Sequence, residues 1–345
     1  MTARALVIAV CAAVLVAATP VRGQDQPVFL ASADAATVIR ALLTAPTLVD
    51  YEGTKILTAL RGQRAETVTI LESYKRSGKL RLEFLSPESA SGRLIVDDGA
   101  SSWHYEPSRH IVMRGPSFVT AQPAVDPAAI LSRYDAMVLG NEQVIGRQTV
   151  VLSLQPRGGG LVKRLWVDQA TGVVLRTEER DPSGELLFSS LFSRISYSLN
   201  LPSALFRFHL PAGARIFSFY VSGDPITDPQ ELSRQAKFAL RAPIVLAGLR
   251  FRSGTVARHG ALTAVTAQYT DGVGVVSVFQ TPASRMAMPE VGATVALRGM
   301  QGRWLDLGYF RILMWQSGGV SFPAIGTLPL HTLVTIAEEL NAAAR

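Results

Sequence analysis

The strongest constraint on the fold of this chain is a long series of short segments in which apolar and polar residues alternate. In one of them Leu80, Leu82 and Phe84 are separated by charged residues. Side chains on a strand point alternately to opposite faces, so this period of two predicts a strand with one buried face. Turn-forming sequences such as Asp97-Asp98-Gly99 separate the segments, and tight turns join antiparallel neighbours. The pattern therefore predicts a large antiparallel sheet.

This pattern extends over residues 33–220, where we expect about eight to ten strands. A sheet of that size curls, and a few helices placed on one face would leave a concave apolar surface. The helices are predicted over Ala33–Leu43, ended by Pro46, and from Asp126-Pro127 onward. The fold class is thus α+β, a large curled antiparallel sheet with covering helices.

A second, smaller α+β domain is expected at residues 228–345. Residues 221–227 contain the turn formers Ser222-Gly223-Asp224-Pro225 and predict a linker. The second domain begins with a helix capped by Asp228, with Glu231 at the spacing of a capping box, and ends with a helix over Pro329–Leu340.

Residues 1–23 have the features of a secretory signal peptide. Arg4 precedes fourteen uncharged, mostly apolar residues, and Gly23 is a small residue suited to cleavage. A helix of that length extends about 21 Å, less than the ~30 Å hydrocarbon core of a bilayer. We expect export across the inner membrane, cleavage, and a periplasmic or cell-envelope protein with no integral membrane segment; a retained anchor is the alternative. Part of the mean hydropathy of +0.22 comes from this segment.

The few cysteines and the mild charge exclude several classes of function. The single cysteine, Cys11, lies in the signal peptide, so the mature chain has no disulfide, thiolate metal site or cysteine nucleophile. Removal of Arg4 and Arg22 leaves 32 basic against 27 acidic residues, a net charge of +5 in place of +7. This small excess does not predict nucleic-acid binding, which requires a dense basic surface with stacking aromatics.

Positive charge is concentrated between residues 232 and 289, where seven basic residues accompany one acid. This stretch predicts contact with an acidic partner, and a solvated arginine surface is the alternative. The candidate partner-binding residues are Arg234, Arg241, Arg250, Arg252, Arg258 and Arg285.

No arrangement typical of an active site is found. The closest histidines, His104 and His110, flank a four-residue turn expected to pair Tyr105 with His110 and to put the two imidazoles on opposite faces. Nucleophile-elbow, Walker and metal-binding motifs are missing from the sequence. We therefore predict a protein that is not an enzyme and that uses no cofactor or metal.

Aromatic residues on the predicted strands of the first domain offer a binding surface instead. They form either ordinary core or the lining of a cavity for an acyl chain, since a curled sheet covered by few helices leaves an apolar concavity. The candidates for this lipid pocket are Tyr51, Phe84, Trp103, Tyr105, Trp166 and Phe188.

Several segments, taken in their order, resemble the MucB/RseB family of periplasmic sigma-E regulators. They are the signal peptide and short helix, Tyr51-Glu52-Gly53-Thr54, Leu80-Arg81-Leu82-Glu83-Phe84, Trp103-His104-Tyr105-Glu106-Pro107, Leu165-Trp166-Val167-Asp168, and the closing Trp315-Gln316-Ser317-Gly318-Gly319. The first domain is also similar to LolA-type lipoprotein carriers, which have a half-barrel fold.

The resemblance implies a non-enzymatic regulator of the envelope stress response. Its half-barrel would accommodate lipid, and its small domain would help to hold the periplasmic segment of a membrane anti-sigma factor until lipid releases it. The basic stretch would suit an acidic peptide or anionic lipid head groups. The alternative is a periplasmic carrier of lipid or lipoproteins, as in lipoprotein sorting, and a neighbouring gene for a single-span anti-sigma factor would favour the regulator.

Overall fold

The computed structural model describes residues 32–61, 64–88, 90–117, 119, 127–159, 161–197, 200–218, 225–259, 262–271, 274–285, 293–306, 311–326, 328 and 330–342. They belong to two compact units that divide after Ser218. The predicted signal peptide and residues 221–224 of the predicted linker lie outside the described residues, and the domain boundaries at 33–220 and 228–345 stay a prediction.

The first unit is built on one twelve-stranded sheet. Its strands are Tyr51–Arg61 (β1), Arg64–Lys75 (β2), Lys79–Ser86 (β3), Leu94–Asp97 (β4), Ser101–Glu106 (β5), Ile111–Pro116 (β6), Tyr134–Val144 (β7), Arg147–Pro156 (β8), Val162–Asp168 (β9), Val174–Arg180 (β10), Leu186–Tyr197 (β11) and Arg215–Ser218 (β12). They lie in the order β12-β6-β5-β4-β3-β2-β1-β11-β10-β9-β8-β7. Neighbours are antiparallel except β12, which runs parallel to β6.

Hairpins account for most of this order, but one contact joins distant parts of the chain. β1 pairs with β11, so that Tyr51 lies opposite Tyr197. This pairing makes one continuous sheet of two meanders, β1–β6 and β7–β11.

Among the described residues of this unit, two α-helices accompany the sheet, Ala35–Leu48 (α1) and Pro127–Arg133 (α2). Asp34 caps α1 by accepting a 2.8 Å hydrogen bond from the Thr37 amide. The expectation that Pro46 ends the helix is wrong, because α1 continues through Pro46 to Leu48. The proline lies in the last turn, where only one intrahelical hydrogen bond is lost.

The two faces of the first sheet differ in what they contact. The face that carries Tyr51, Tyr74 and Phe84 lies toward α1, since the Tyr74 hydroxyl donates to the Pro46 carbonyl at 3.1 Å. We call it the helix face. The opposite face carries Trp103 and Trp166, and we call it the outer face.

In its described ranges, the second unit has an eight-stranded sheet and two α-helices. The strands are Val245–Leu246 (β13), Leu249–His259 (β14), Leu262–Thr270 (β15), Val275–Pro282 (β16), Ala293–Leu297 (β17), Met300–Asp306 (β18), Arg311–Ser317 (β19) and Val320–Gly326 (β20), in the order β13-β14-β15-β16-β20-β19-β18-β17. The helices are Pro229–Ala236 (α3) and Leu330–Ala342 (α4). Leu333, Ile336 and Leu340 of α4 are fully buried in the core of this unit.

Helix α4 holds both edges of this sheet through adjacent glutamates. Glu339 accepts a 2.7 Å hydrogen bond from the amide of Ala247, in the turn after β13. Glu338 accepts one of 3.2 Å from the amide of Arg298, in the turn after β17. Because β13 and β17 are the two edge strands, the sheet must curl around α4.

The predicted α+β fold class is confirmed, with large antiparallel sheets and few helices. Asp228 caps α3 as expected, by accepting from the Gln230 amide at 2.9 Å. The Glu231 carboxylate accepts from Arg234 and Gln235 of its own helix, which is a different arrangement from the capping box.

Within the described part of the chain, no helix combines the length and the apolar character needed to cross a membrane.

Candidate functional site

The six candidates for a lipid pocket fall on two different faces of the first sheet. Strand register places Tyr51, Phe84 and Phe188 on the helix face, where each is buried. Trp103, Tyr105 and Trp166 point to the outer face. The six side chains therefore do not line one cavity.

The helix face contains a dense aromatic cluster around Tyr51. Its ring stacks on Tyr74 with centroids 5.3 Å apart and meets the edges of Phe192 at 5.8 Å and Tyr197 at 6.4 Å. Gly53 makes room for this cluster, because a Cβ there would lie 2.8 Å from the Phe192 ring and 2.5 Å from the Arg194 carbonyl oxygen.

A buried ion pair lies within this aromatic cluster. Glu72, whose side chain is 2% exposed, forms a 2.6 Å ion pair with Lys55 and accepts a 2.7 Å hydrogen bond from the Tyr51 hydroxyl. The Lys55 ammonium also lies 4.2 Å from the centre of the Phe192 ring. Burial, followed by the nearby Glu72 carboxylate, raises the pKa of Tyr51 well above its ordinary value.

Sequence reasoning missed Lys55 and Glu72 as members of this site. A signal was present, because Glu72 alternates in phase with Val68 and Ile70 and so occupies an apolar face. A charge on an apolar face calls for a partner, and the register supplies Lys55 on the neighbouring strand.

On the outer face, Trp103 contacts the chain between β11 and β12. Trp103 stacks on Phe208 with ring centroids 5.3 Å apart, and the Arg114 guanidinium lies over the Trp103 ring, 4.5 Å from its centroid. Nearby, Arg81 donates to the Leu205 carbonyl at 3.3 Å. This part of the outer face is thus covered by the segment that returns to β12.

Trp166 lies in a different, charged environment on the outer face. Its indole N–H donates a 2.7 Å hydrogen bond to Glu142, and the Arg176 guanidinium lies 4.3 Å from its ring centroid. Arg176 and Arg180 both bond to Glu178, whose side chain is 2% exposed. Burial alone would raise the pKa of Glu178, but the hydrogen bonds from Arg180 and Arg176 outweigh it and lower that pKa.

The two neighbouring histidines adopt a register different from the expected one. Glu106 pairs with Ile111, and Tyr105 pairs with Val112 instead of His110. His110 takes a left-handed conformation with φ of 53° and so belongs to the turn. Its ring contacts the Tyr105 hydroxyl at 3.2 Å and the Ala212 carbonyl oxygen at 2.8 Å.

His104 lies on the helix face, and burial lowers its pKa to about 4. In the ranges that the structure describes, no three side chains of His, Cys, Asp or Glu come together as a metal site would require.

The six candidate arginines of the second unit have unequal roles. Arg234 is paired with Glu231 on the surface of α3. Arg241 donates to the carbonyls of Leu340 at 3.1 Å and Ser317 at 3.2 Å and lies over the Phe322 ring, so it holds the end of α4.

Of the other four candidate arginines, Arg250 and Arg258 are exposed to solvent. Both lie on β14, and Arg258 also donates to the Gln235 carbonyl at 3.0 Å. Burial lowers the pKa of Arg252 to about 10. The side chain of Arg285 lies outside the described residues.

Comparisons with known proteins agree with this architecture. The family model for the MucB/RseB N-terminal domain matches residues 34–207. No curated protein sequence matches the chain significantly.

Solved structures with a similar fold include a chain of the Pseudomonas aeruginosa MucA/MucB complex, at 19% identity and a TM-score of 0.55, covering 88% of this chain and 96% of that one. MucB alone gives 19% identity and 0.56 over the same shares of the two chains. MucB in complex with MucA(peri) gives 19% and 0.51, over 88% of this chain and 97% of that one.

The family model spans about half of the chain and contains the helix-face cluster, from Tyr51 to Phe192. The resemblance of the sequence motifs is thereby confirmed, and the chain belongs to the MucB/RseB family.

Proposed function

We propose that this protein is a periplasmic regulator that binds the extracytoplasmic segment of a membrane anti-sigma factor. The observation that carries the proposal is the family membership, together with a fold likeness to MucB, which has been solved in complex with MucA(peri). The likeness covers 88% of this chain, so it includes residues of both units. In this proposal the protein acts by binding alone and catalyses no reaction.

The partner-binding surface is proposed to include the exposed arginines of β14. Arg250 and Arg258 are exposed, whereas Arg234 is paired with Glu231 and Arg241 is bonded to backbone carbonyls. An acidic peptide would gain most from side chains that are not already neutralised.

Lipid sensing is proposed to use the helix face, where an acyl chain would pack among Tyr51, Phe84 and Phe188. These side chains are buried on the face that α1 contacts through Tyr74, so we propose that entry of an acyl chain requires α1 to move away from the sheet. Such a movement would couple lipid binding to the shape of the first unit, which is what release of a partner requires.

A binding experiment tests the regulator proposal directly. The mature chain, residues 24–345, is mixed with the purified periplasmic segment of an anti-sigma factor encoded in the same genome, and the affinity is measured by calorimetry. We expect a complex that Arg250→Gln/Arg258→Gln weakens at least fivefold, while Arg234→Gln, whose charge is already paired, leaves it unchanged. Failure to bind the segment, with retained binding of fatty acid, would support the lipid carrier instead.

A further inference from the structure

The outer face of β7–β10 has a charged and apolar surface that the proposed function does not use. Four residues on four adjacent strands form a row across it, in which Met137 pairs with Ser153, Ser153 with Arg164, and Arg164 with Glu178. Neighbouring strands are about 4.8 Å apart, so Met137 and Arg164 are about 10 Å apart along this row.

Positive charge exceeds negative charge in this region. The oxygens of Glu178 accept hydrogen bonds from Arg176 and Arg180, the latter at 2.7 and 3.0 Å. Arg164 lies directly opposite Glu178 in the register, yet it has no hydrogen-bond or ion-pair partner among the described residues, and its Nε is buried. Arg176 and Arg180 share the Glu178 carboxylate, and Glu142 accepts from Trp166 beside Arg176. Three guanidinium groups thus face two carboxylates, which leaves one positive charge for a ligand.

Exposed apolar side chains lie on β7, an edge strand of the same part of the sheet. Met137 is 60% exposed and Leu139 is 47% exposed. Large apolar side chains that protrude next to unneutralised basic groups are typical of proteins that bind membrane interfaces, where apolar groups enter the acyl boundary and arginines contact phosphates.

The geometry of β7 disfavours the other common use of an edge strand, which is pairing with a strand of a partner protein. A bulge between Val138 and Gly140 interrupts the ladder, and Gly140 has φ of 138°. Bulges of this kind prevent continuous pairing along an edge. From these observations we propose that the outer face of β7–β10 docks on an anionic lipid bilayer, with Met137 and Leu139 inserted and Arg164, Arg176 and Arg180 on the head-group phosphates.

Vesicle sedimentation with the mature chain tests this proposal. We expect binding to vesicles of phosphatidylethanolamine and phosphatidylglycerol, little binding to phosphatidylcholine vesicles, and a loss of binding in high salt. Met137→Ser/Leu139→Ser should lower the partition coefficient at least tenfold, and Arg164→Gln at least threefold, whereas Arg164→Lys should retain most of it.

Matched controls lie in the second unit. Ile244→Ser removes a side chain that is 66% exposed, and Arg234→Gln removes a surface arginine; both should leave partition unchanged. Equal partition on anionic and neutral vesicles, or equal losses in the control variants, would overturn the proposal. Because Met137 and Leu139 are exposed, their serine variants should fold and should keep any binding of an anti-sigma segment, which separates this proposal from the regulator proposal.

Discussion

The Tyr51 hydroxyl donates a 2.7 Å hydrogen bond to Glu72, and this bond ties a buried carboxylate to the aromatic cluster of the helix face. Lys55 neutralises the same carboxylate from the adjacent strand position. The polar group is tolerated in the core because both of its oxygens have a partner.

Removal of Lys55 should therefore destabilise the first unit. Lys55→Met leaves the Glu72 charge buried without its cation, and we expect a loss of about 3 kcal/mol in the free energy of unfolding. Urea unfolding followed by circular dichroism measures it. Lys55→Met/Glu72→Leu should recover most of the loss, and Arg76→Met, in a surface pair, should change stability by less than about 0.5 kcal/mol. A double variant as unstable as the single one would contradict this account.

Gly53 should not accept even one additional methyl group. In Gly53→Ala the new Cβ would approach the Arg194 carbonyl oxygen to 2.5 Å, and a backbone atom in a paired strand cannot move away easily. We expect a loss of about 2 kcal/mol or more in the free energy of unfolding. Gly158→Ala, where a Cβ would meet nothing within 4 Å, is the control and should be nearly neutral. Equal midpoints of urea unfolding for the two variants would disprove the steric explanation.

Arg241 should behave as a structural residue, although its sequence context suggested partner binding. Arg241→Met removes two hydrogen bonds to carbonyls at the end of α4 and its contact with Phe322, so we expect about 2 kcal/mol lower stability of the second unit. Arg250→Met should be within about 0.5 kcal/mol of the unmodified protein. Near-ultraviolet circular dichroism during unfolding provides the comparison, because Trp315 stacks on Phe322. Similar stabilities of the two variants would argue against this role of Arg241.

The two faces of the first sheet make opposite predictions for acyl binding. If the helix face holds the acyl chain of the ligand, Phe84→Ala and Phe188→Ala should each change the affinity for a fluorescent fatty acid at least fivefold. Trp103→Ala and Trp166→Ala, on the outer face, should then have little effect. Titration of the fluorescent ligand into each folded variant tests this, and the reverse ranking would place the lipid on the outer face.

His104 should make stability depend on pH. Burial lowers its pKa to about 4 in the folded protein, from about 6.5 in the unfolded chain. As the pH falls, the unfolded state therefore binds a proton at His104 before the folded state does. The contribution of His104 to stability is complete above about pH 6.5 and falls by on the order of 1 kcal/mol per pH unit toward pH 4. Unfolding in urea at pH 7.5, 6 and 5 should show this slope, and His104→Gln should flatten it. An equal flattening by replacement of the exposed His331 would contradict the assignment.

Local patterns were sufficient for the hairpins, and they were insufficient for the long-range contacts. The alternation of Leu80, Leu82 and Phe84 correctly predicted a half-buried strand, and Asp228 correctly predicted a helix start. The pairing of Tyr105 was predicted incorrectly, because His110 adopts a left-handed conformation and belongs to the turn, which is therefore shifted by one residue to 107–110. Backbone conformation at one residue decides such a register, and residue type specifies it only weakly for histidine.

The sequence by itself determined the strand-rich architecture, the absence of cysteine from the predicted mature chain and the resemblance to the MucB/RseB family. Only the tertiary structure decided which face each aromatic occupies. An alternation with a period of two looks the same whichever face of the strand is buried, so it placed Tyr51 and Trp166 in one set of lipid-pocket candidates. Strand pairing shows that the two side chains lie on opposite faces of the sheet. The pairing of β1 with β11 also brings Phe192 onto Lys55, a contact between residues far apart in the chain that no local pattern encodes.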